Sequence, residues 1–478
     1  MNAKIPLENI DTSDADADAV QQIDIEEFDL YEKREKIYTR NIRGFFQRVR
    51  MLTGWPLLMA YFGLPWVNWG ERQSILFDAP NDQFHIFGLT LWPEDFVLLA
   101  AVLIIAAFAL LAVTTWLGRV WCGYTCPQTV WTSIFMWAEQ ITEGSRNARI
   151  KLDHSPWSIN KVLRKTAKHS LWLGVSLVTA LTFVGYFSPI RELIPSLFSF
   201  SLSGWETFWI LFFVLATYGN AGWLREQVCK YMCPYARFQA VMFDSDTLIV
   251  SYDAERGESR GARKKELDHK AAGLGDCIDC QVCVQVCPVG IDIRDGLQYE
   301  CINCALCIDA CDEVMDKMAY PKGLIRYTTE NRLQHKQEHR VLRPKLIGYT
   351  AVLTAMVVVF CLILFNRDLV DVDISRDRGA LYYQTADGLI ENGYRLKLLN
   401  MAADTQHYQI ALSGLEGAVL LGNTSLTAPP GHQAEILMRV QIEPNKLLAA
   451  QVPIEFVIAS EDQTIRVVEE TRFMGPLQ

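Results

Sequence analysis

Twelve of the 13 cysteines in this 478-residue chain fall into two spaced patterns. The denser one reads Cys277-x2-Cys280-x2-Cys283-x3-Cys287-Pro288 and then Cys301-x2-Cys304-x2-Cys307-x3-Cys311. Three thiolates at this spacing wrap three irons of a cubane, and the fourth ligand comes from the other motif. Crossed ligation then puts Cys277, Cys280, Cys283 and Cys311 on one [4Fe–4S] cluster. Cys301, Cys304, Cys307 and Cys287 take the other. Zinc competes for thiolates, but zinc knuckles set their cysteines in separate pairs. Three cysteines in seven residues, twice over, is ferredoxin spacing. The second motif carries Asp312 where the first has Pro288, which predicts an altered turn after Cys311 with the ligation kept.

The sparser pattern is a repeat. WCGYTCPQTVW and VCKYMCPYARF each contain Cys-x3-Cys-Pro, at Cys122, Cys126, Pro127 and at Cys229, Cys233, Pro234. In a continuous helix, thiols four apart share one face, while each Pro limits the next helix to a new start. If the copies pack side by side, the four thiols converge. Such a set suits Cu(I), zinc, a third iron–sulfur centre or a redox disulfide. The bland alternative is four small buried side chains at a helix interface. Cys361 stands apart and reads as a packing residue.

These thiols need elements to hold them. Five uncharged runs approach the length of about 20 apolar residues that crosses a bilayer: Met51–Gly70, Phe96–Gly118, Ser170–Ile190, Thr207–Leu224 and Leu346–Asn366. Lys and Arg crowd the segments before the first run, between the second and third, and between the fourth and fifth. The 71–95 loop holds only Arg72 and the 191–206 loop only Arg191. The positive-inside rule then sets the N-terminus inside and the C-terminus outside. Val120–Ala138 is also uncharged but sits between basic loops, which predicts an interfacial helix on the cytoplasmic face.

The predicted fold is thus an α-helical membrane protein with five transmembrane helices, an inserted bacterial 2[4Fe–4S] ferredoxin-like domain and a C-terminal immunoglobulin-like β-sandwich. Residues 1–35 read as a disordered acidic tail without a cleavable leader. Residues 36–224 form the four-helix region with the first Cys-x3-Cys-Pro. Residues 225–345 are the cytoplasmic insert with the second, 346–366 the fifth span, and 367–478 the outer β domain. That last region alternates apolar and polar positions between turns at Asn392-Gly393, Pro429-Pro430-Gly431 and Glu443-Pro444-Asn445.

A net charge of −10 argues against a nucleic-acid partner. No Cys-x2-Cys-His, Walker loop or convincing dinucleotide fingerprint is present, and none of the eight histidines lies well inside a span. Electrons must therefore come from another protein, a quinol or a small reductant. The basic stretch Arg256–Lys270 reads as a solvated linker or, less plainly, a docking face for an acidic donor.

The chain resembles the cytochrome c oxidase accessory protein family (CcoG, also called FixG or RdxA), polyferredoxin-like proteins of the bacterial inner membrane. The resemblance rests on RQSILFDAP, FHIFGLTLWPEDF, WCGYTCPQTVWTSIFMW, RNARIKLD, the stretch DCIDCQVCVQVCPVGIDIRDGLQYECINCALCIDACDEVMDKM and the outer β domain. It implies a Cu(II) reductase that prepares Cu(I) for cbb3-type cytochrome oxidase, with that oxidase's subunits or copper chaperones as partners. It carries the cluster ligands to the eight cysteines named and the copper-handling role to Cys122, Cys126, Cys229 and Cys233. Two other functions remain open: a quinol-linked subunit feeding a partner oxidoreductase, and a non-catalytic assembly scaffold. A homodimer is a further expectation.

Overall fold

The computed structural model describes residues 36–476 except 71, 337–339, 341–342, 367–368, 378, 403–404, 448 and 462–464. The tail predicted over 1–35 lies outside the described residues. Among them, four helices are long and apolar enough to cross a membrane: Phe96–Leu117, Ile159–Val184, Gly204–Leu224 and Pro344–Phe365. Each overlaps one of the five predicted runs, Ile159–Val184 starting well before Ser170–Ile190. The remaining run forms the helix Phe45–Gly63, which begins earlier, carries Pro56 inside and gives way at Leu64-Pro65-Trp66 to a short 3-10 turn. Its 19 residues rise about 28 Å.

Contacts show which ends lie together. The Leu306–Met318 helix of the cysteine-rich region supplies Asp309, whose carboxylate accepts from the backbone N–H of Phe46 (3.1 Å) and Gln47 (2.8 Å). Asp309 thereby caps the start of the Phe45–Gly63 helix, satisfying donors that have no partner within it. A Cβ on Gly44 would stand 2.1 Å from Asp309 Cγ, so glycine is required there. At the opposite end, a small antiparallel sheet (Ile75–Asp78, Gln83–Ile86, Leu89–Leu91) touches the C-terminal domain, with Gln83 donating to the Gly431 carbonyl at 3.3 Å. The segments read as inner are in contact with one another, and so are two of those read as outer.

The predicted interfacial segment Val120–Ala138 falls in two helices, Val120–Tyr124 and Pro127–Glu143, broken at Thr125-Cys126. The second was expected to lie across the interface. Instead it runs antiparallel to Ile159–Val184, with Trp131 bonded to Thr179 (3.0 Å), Phe135 beside Trp172 and Glu143 paired to Lys165 (2.9 Å).

The cysteine-rich region folds around two short helices, Val282–Val286 and Leu306–Met318, flanked by an antiparallel strand pair, Ile249–Tyr252 with Ile325–Thr328. The C-terminal β-sheet domain has two antiparallel sheets. Val419–Leu421, Gln433–Ile442, Ile390–Asn400 and Val370–Arg376 lie in that order in one, with Tyr383–Gln384 paired to Ile390–Asn400. The other is Ser425–Ala428, Gln406–Ser413, Gln451–Ser460, Arg466–Met474. Alternate residues of both bury in one shared core, where Tyr394 packs edge-on against Phe456. Tyr394 Oη also donates to the Arg472 carbonyl at 3.0 Å, tying the sheets together.

Candidate metal centres

The two Cys-x2-Cys-x2-Cys loops share one backbone geometry. The residues flanking the middle cysteine are left-handed in both: Asp279 (φ 51°) and Gln281 (φ 54°) around Cys280, Asn303 (φ 52°) and Ala305 (φ 59°) around Cys304. Such turns cost side-chain-bearing residues energy and persist where the surroundings demand them. Here they curl the chain around a cavity. One cavity is lined by Cys277, Cys280, Cys283 and Cys311. The other is lined by Cys287, Cys301, Cys304 and Cys307, together with Cys283. Both are walled by apolar side chains, such as Ile302 and Leu306 or Met315 and Leu324.

Burial pushes the thiols of Cys283, Cys301 and Cys311 up to about 12 and that of Cys287 up to about 11. Without a cation these four thiols stay protonated, and bound iron displaces the protons. Among the described residues no three His, Cys, Asp or Glu side chains close around a single ion. A cubane holds one thiolate at each iron corner and so keeps its ligands apart. Thiol set, loop geometry and cavities thus suit iron–sulfur groups.

The Asp312 departure acts differently from the expected change of turn. After Cys287 the chain leaves the helix at once, with Pro288 next, whereas the Leu306–Met318 helix runs on through Cys311 and Asp312. Asp312 then accepts from the Gly323 N–H at 3.0 Å.

In the Cys-x3-Cys-Pro copies the helix does not continue through the motif, so the shared-face argument fails. Cys126 (ψ 129°) and Cys233 (ψ 109°) are extended and cap new helices, Pro127–Glu143 and Pro234–Met242. Missing its N–H, each Pro sits where that donor has no helical partner anyway. The two copies are brought together across the chain. Cys122 Sγ lies 3.2 Å from Gln239 Oε1 on the helix of the other copy. Burial, then the neighbouring Cys126, push the Cys122 thiol up to about 12; burial, then Cys126 and Cys233, do the same for Cys229. At Cys126 burial raises the thiol while the N–H groups of Gln128 and Thr129 pull it down, and burial prevails. The four thiols therefore share a neighbourhood without closing on one ion. All 13 cysteines lie among the described residues and are free thiols there.

Three residues that matter here went unnoticed in the sequence. Arg119, counted only as an inner-side charge, is buried at 2% exposure. Gln239, a fully buried amide, bonds both Cys122 and Thr114 (3.0 Å). Glu139, also buried, pairs with Arg225 at 2.6 Å and Arg149 at 2.7 Å, which fixes the first copy's helix to the segment leading into the second. Burial pushes the Glu139 carboxyl up, but the two guanidinium groups outweigh it and hold it below the usual carboxylate range. A polar residue inside an apolar stretch was the available signal for Gln239. The basic stretch is also less free than expected. Arg256 pairs with Asp276 at 2.5 Å and Arg263 donates to the Gly275 carbonyl at 2.6 Å, so both hold the insert together.

Fold and sites define a membrane protein with 4Fe–4S-binding domains and a C-terminal β-sheet domain. Residues 224–330 match the family model of a "4Fe-4S dicluster domain", 99–140 that of a "4Fe-4S binding domain", and 360–476 that of an "IG-like fold at C-terminal of FixG". The chain is 36% identical over 429 residues to the nitrogen fixation protein FixG of Rhizobium meliloti, covering 82% of each. It is 37% identical over 434 residues to protein RdxA of Cereibacter sphaeroides, covering 86% of this chain and 90% of that one. The chain belongs to this FixG/RdxA/RdxB family. A crystal structure of a FixG-related protein from Vibrio parahaemolyticus aligns over 23% of this chain and 99% of its own, at 27% identity and a TM-score of 0.22.

Proposed function

We propose that the chain is an inner-membrane iron–sulfur electron-transfer protein that reduces Cu(II) to Cu(I) for the assembly of a cbb3-type oxidase. The observation that carries the electron-transfer part is the pair of cavities, each lined by one of the two crossed cysteine sets. In this reading the N-terminal segment and the insert are cytoplasmic and the β domain periplasmic. Cys277, Cys280, Cys283 and Cys311 hold one cluster, and Cys301, Cys304, Cys307 and Cys287 the other. Bound there, each cluster supplies one-electron transfer. Cys122, Cys126, Cys229 and Cys233 receive the copper substrate. Thiolates favour Cu(I) over Cu(II), so ligation by these residues assists the reduction. The family resemblance supports the copper assignment, with oxidase subunits or copper chaperones taking the product.

One observation favours a second reading. Residues 99–140 match a 4Fe-4S-binding family model and contain only Cys122 and Cys126, so the four thiols together could complete a third cluster.

The test is anaerobic. Purified protein with reduced clusters should reoxidise when Cu(II) is added, and replacing Cys122 and Cys126 by Ser should slow that step. Reoxidation at the wild-type rate by a variant lacking all four thiols would sink the copper role. Iron analysis separates the readings: about eight irons per chain fit two clusters and about twelve fit three.

A further inference from the structure

The link after the Phe96–Leu117 helix is pressed onto one cluster loop and not the other. A Cβ on Gly123 would stand 2.7 Å from the Ile302 carbonyl and 2.9 Å from Cys304 Cα. One on Gly118 would stand 2.5 Å from Asn303 Nδ2. Cys122 packs into the apolar cluster formed by Ile302, Cys304 and Leu306. By contrast, Cys280 of the other set is exposed.

Arg119 occupies this junction. Its guanidinium donates to the Ala236 carbonyl, in the helix after the second Cys-x3-Cys-Pro, while its Nε is buried without a hydrogen-bond partner. Cys122, Cys301, Cys229 and Cys233 all lie within its electrostatic reach. A guanidinium stays charged in proteins, and a buried cation is costly unless anions face it. The groups within reach that can offset it are cysteines, as thiolates once a bound metal displaces their protons.

We propose that Arg119 is a positioning residue shared by two sites. Its fixed charge holds the interfacial thiolates of both Cys-x3-Cys-Pro copies together and raises the reduction potential of the cluster bound by Cys287, Cys301, Cys304 and Cys307. This cluster is then the immediate electron donor to the thiol site, and the one beside Cys280 is the point of electron intake. The inference rests on the two-cluster reading above. Its sign follows from charge. A cluster gains one negative charge on reduction, so a nearby cation favours the reduced form. The step is one electron from the reduced cluster to the ion at the thiols, with no proton or bond transferred between them.

The experiment is an EPR-monitored redox titration of the full-length protein without added copper, in wild type, Arg119→Gln and Arg119→Lys. Glutamine keeps a donor for the Ala236 carbonyl and removes the charge; lysine keeps the charge. Cys280→Ser identifies the signal of the exposed site by its loss. In Arg119→Gln, the reduced-to-oxidised ratio of the second cluster at fixed potential should fall about tenfold, the scale of one charge acting over about 10 Å. That corresponds to about 59 mV for one electron. The cluster beside Cys280 should not move, and Arg119→Lys should recover most of the shift. Equal shifts of both clusters, a shift of the exposed one alone, or none at all would overturn the role of Arg119 and leave the two-cluster reading standing. A wild-type protein with only one reducible cluster would overturn that reading itself.

Discussion

In the first Cys-x3-Cys-Pro copy Gly123 follows Cys122; in the second, Lys230 follows Cys229. Within the motif the copies differ there and at Thr125 against Met232. Gly123 lets its backbone lie against Ile302 and Cys304, a contact any side chain would block. Tyr124 beside it is buried at 7%, whereas its counterpart Tyr231 is 38% exposed. The second copy is instead framed by wide π-helical turns over Tyr218–Leu224 and Val228–Met232, a feature common at functional sites. One copy faces the cluster loop and the other completes the thiol site. The cluster motifs diverge in the same way, through Pro288 and Asp312. A repeat in sequence thus marks a shared backbone plan, and a single residue per copy assigns its neighbours.

The sharpest way to break this comparison is to exchange the distinguishing residues. Gly123→Ala forces a Cβ into backbone atoms that cannot yield as a side chain would. Iron should fall from about eight to about four per chain, with the cluster beside Cys280 retained. Lys230→Ala, at the matching place, should keep all of it. Equal iron in both variants would remove the asymmetry.

A smaller effect separates the cluster halves. Asp312→Pro places proline inside a continuous helix and should cost about 3 kcal/mol. It also removes the acceptor for Gly323. The reverse change, Pro288→Asp, falls where the helix has already ended and should cost under about 1 kcal/mol. Denaturation followed by loss of iron–sulfur absorbance reads both; equal costs would mean that the helix through Cys311 is not required.

The smallest expected effect concerns the contact between copies. Gln239→Ala strands the Cys122 thiol, takes one of several bonds from the Thr114 hydroxyl and should destabilise by about 1–2 kcal/mol. At the equivalent place Thr132, which accepts only a long bond from Gln128 (3.4 Å), Thr132→Ala should cost about half as much. Thermal melts of the two variants side by side check this order.

Much of the architecture was legible beforehand because its signals are local. Four of the five apolar runs are long apolar helices, since a bilayer imposes length and hydropathy on each segment separately. The fifth could be read only as a run. Its helix starts where Asp309, more than 260 residues away, caps it. The Pro127–Glu143 helix was misjudged for a similar reason. The uncharged stretch through Ala138 suits an interface, but Trp131 and Glu143 pair with Thr179 and Lys165 along a neighbouring helix.

The sequence by itself determined the cysteine sets, the positions where helices restart at proline and the strand alternation of the C-terminal domain. Each depends on spacing within a few residues, and ligand geometry or backbone sterics act at that range. Only the tertiary structure decided that the first Cys-x3-Cys-Pro lies on the 301–304 loop, that Gln239 bridges the copies and that Arg119 is buried within electrostatic reach of cysteines from three segments. Those facts depend on close approach between residues more than 100 positions apart. Glycine, glutamine and arginine carry no mark in sequence of what will stand against them.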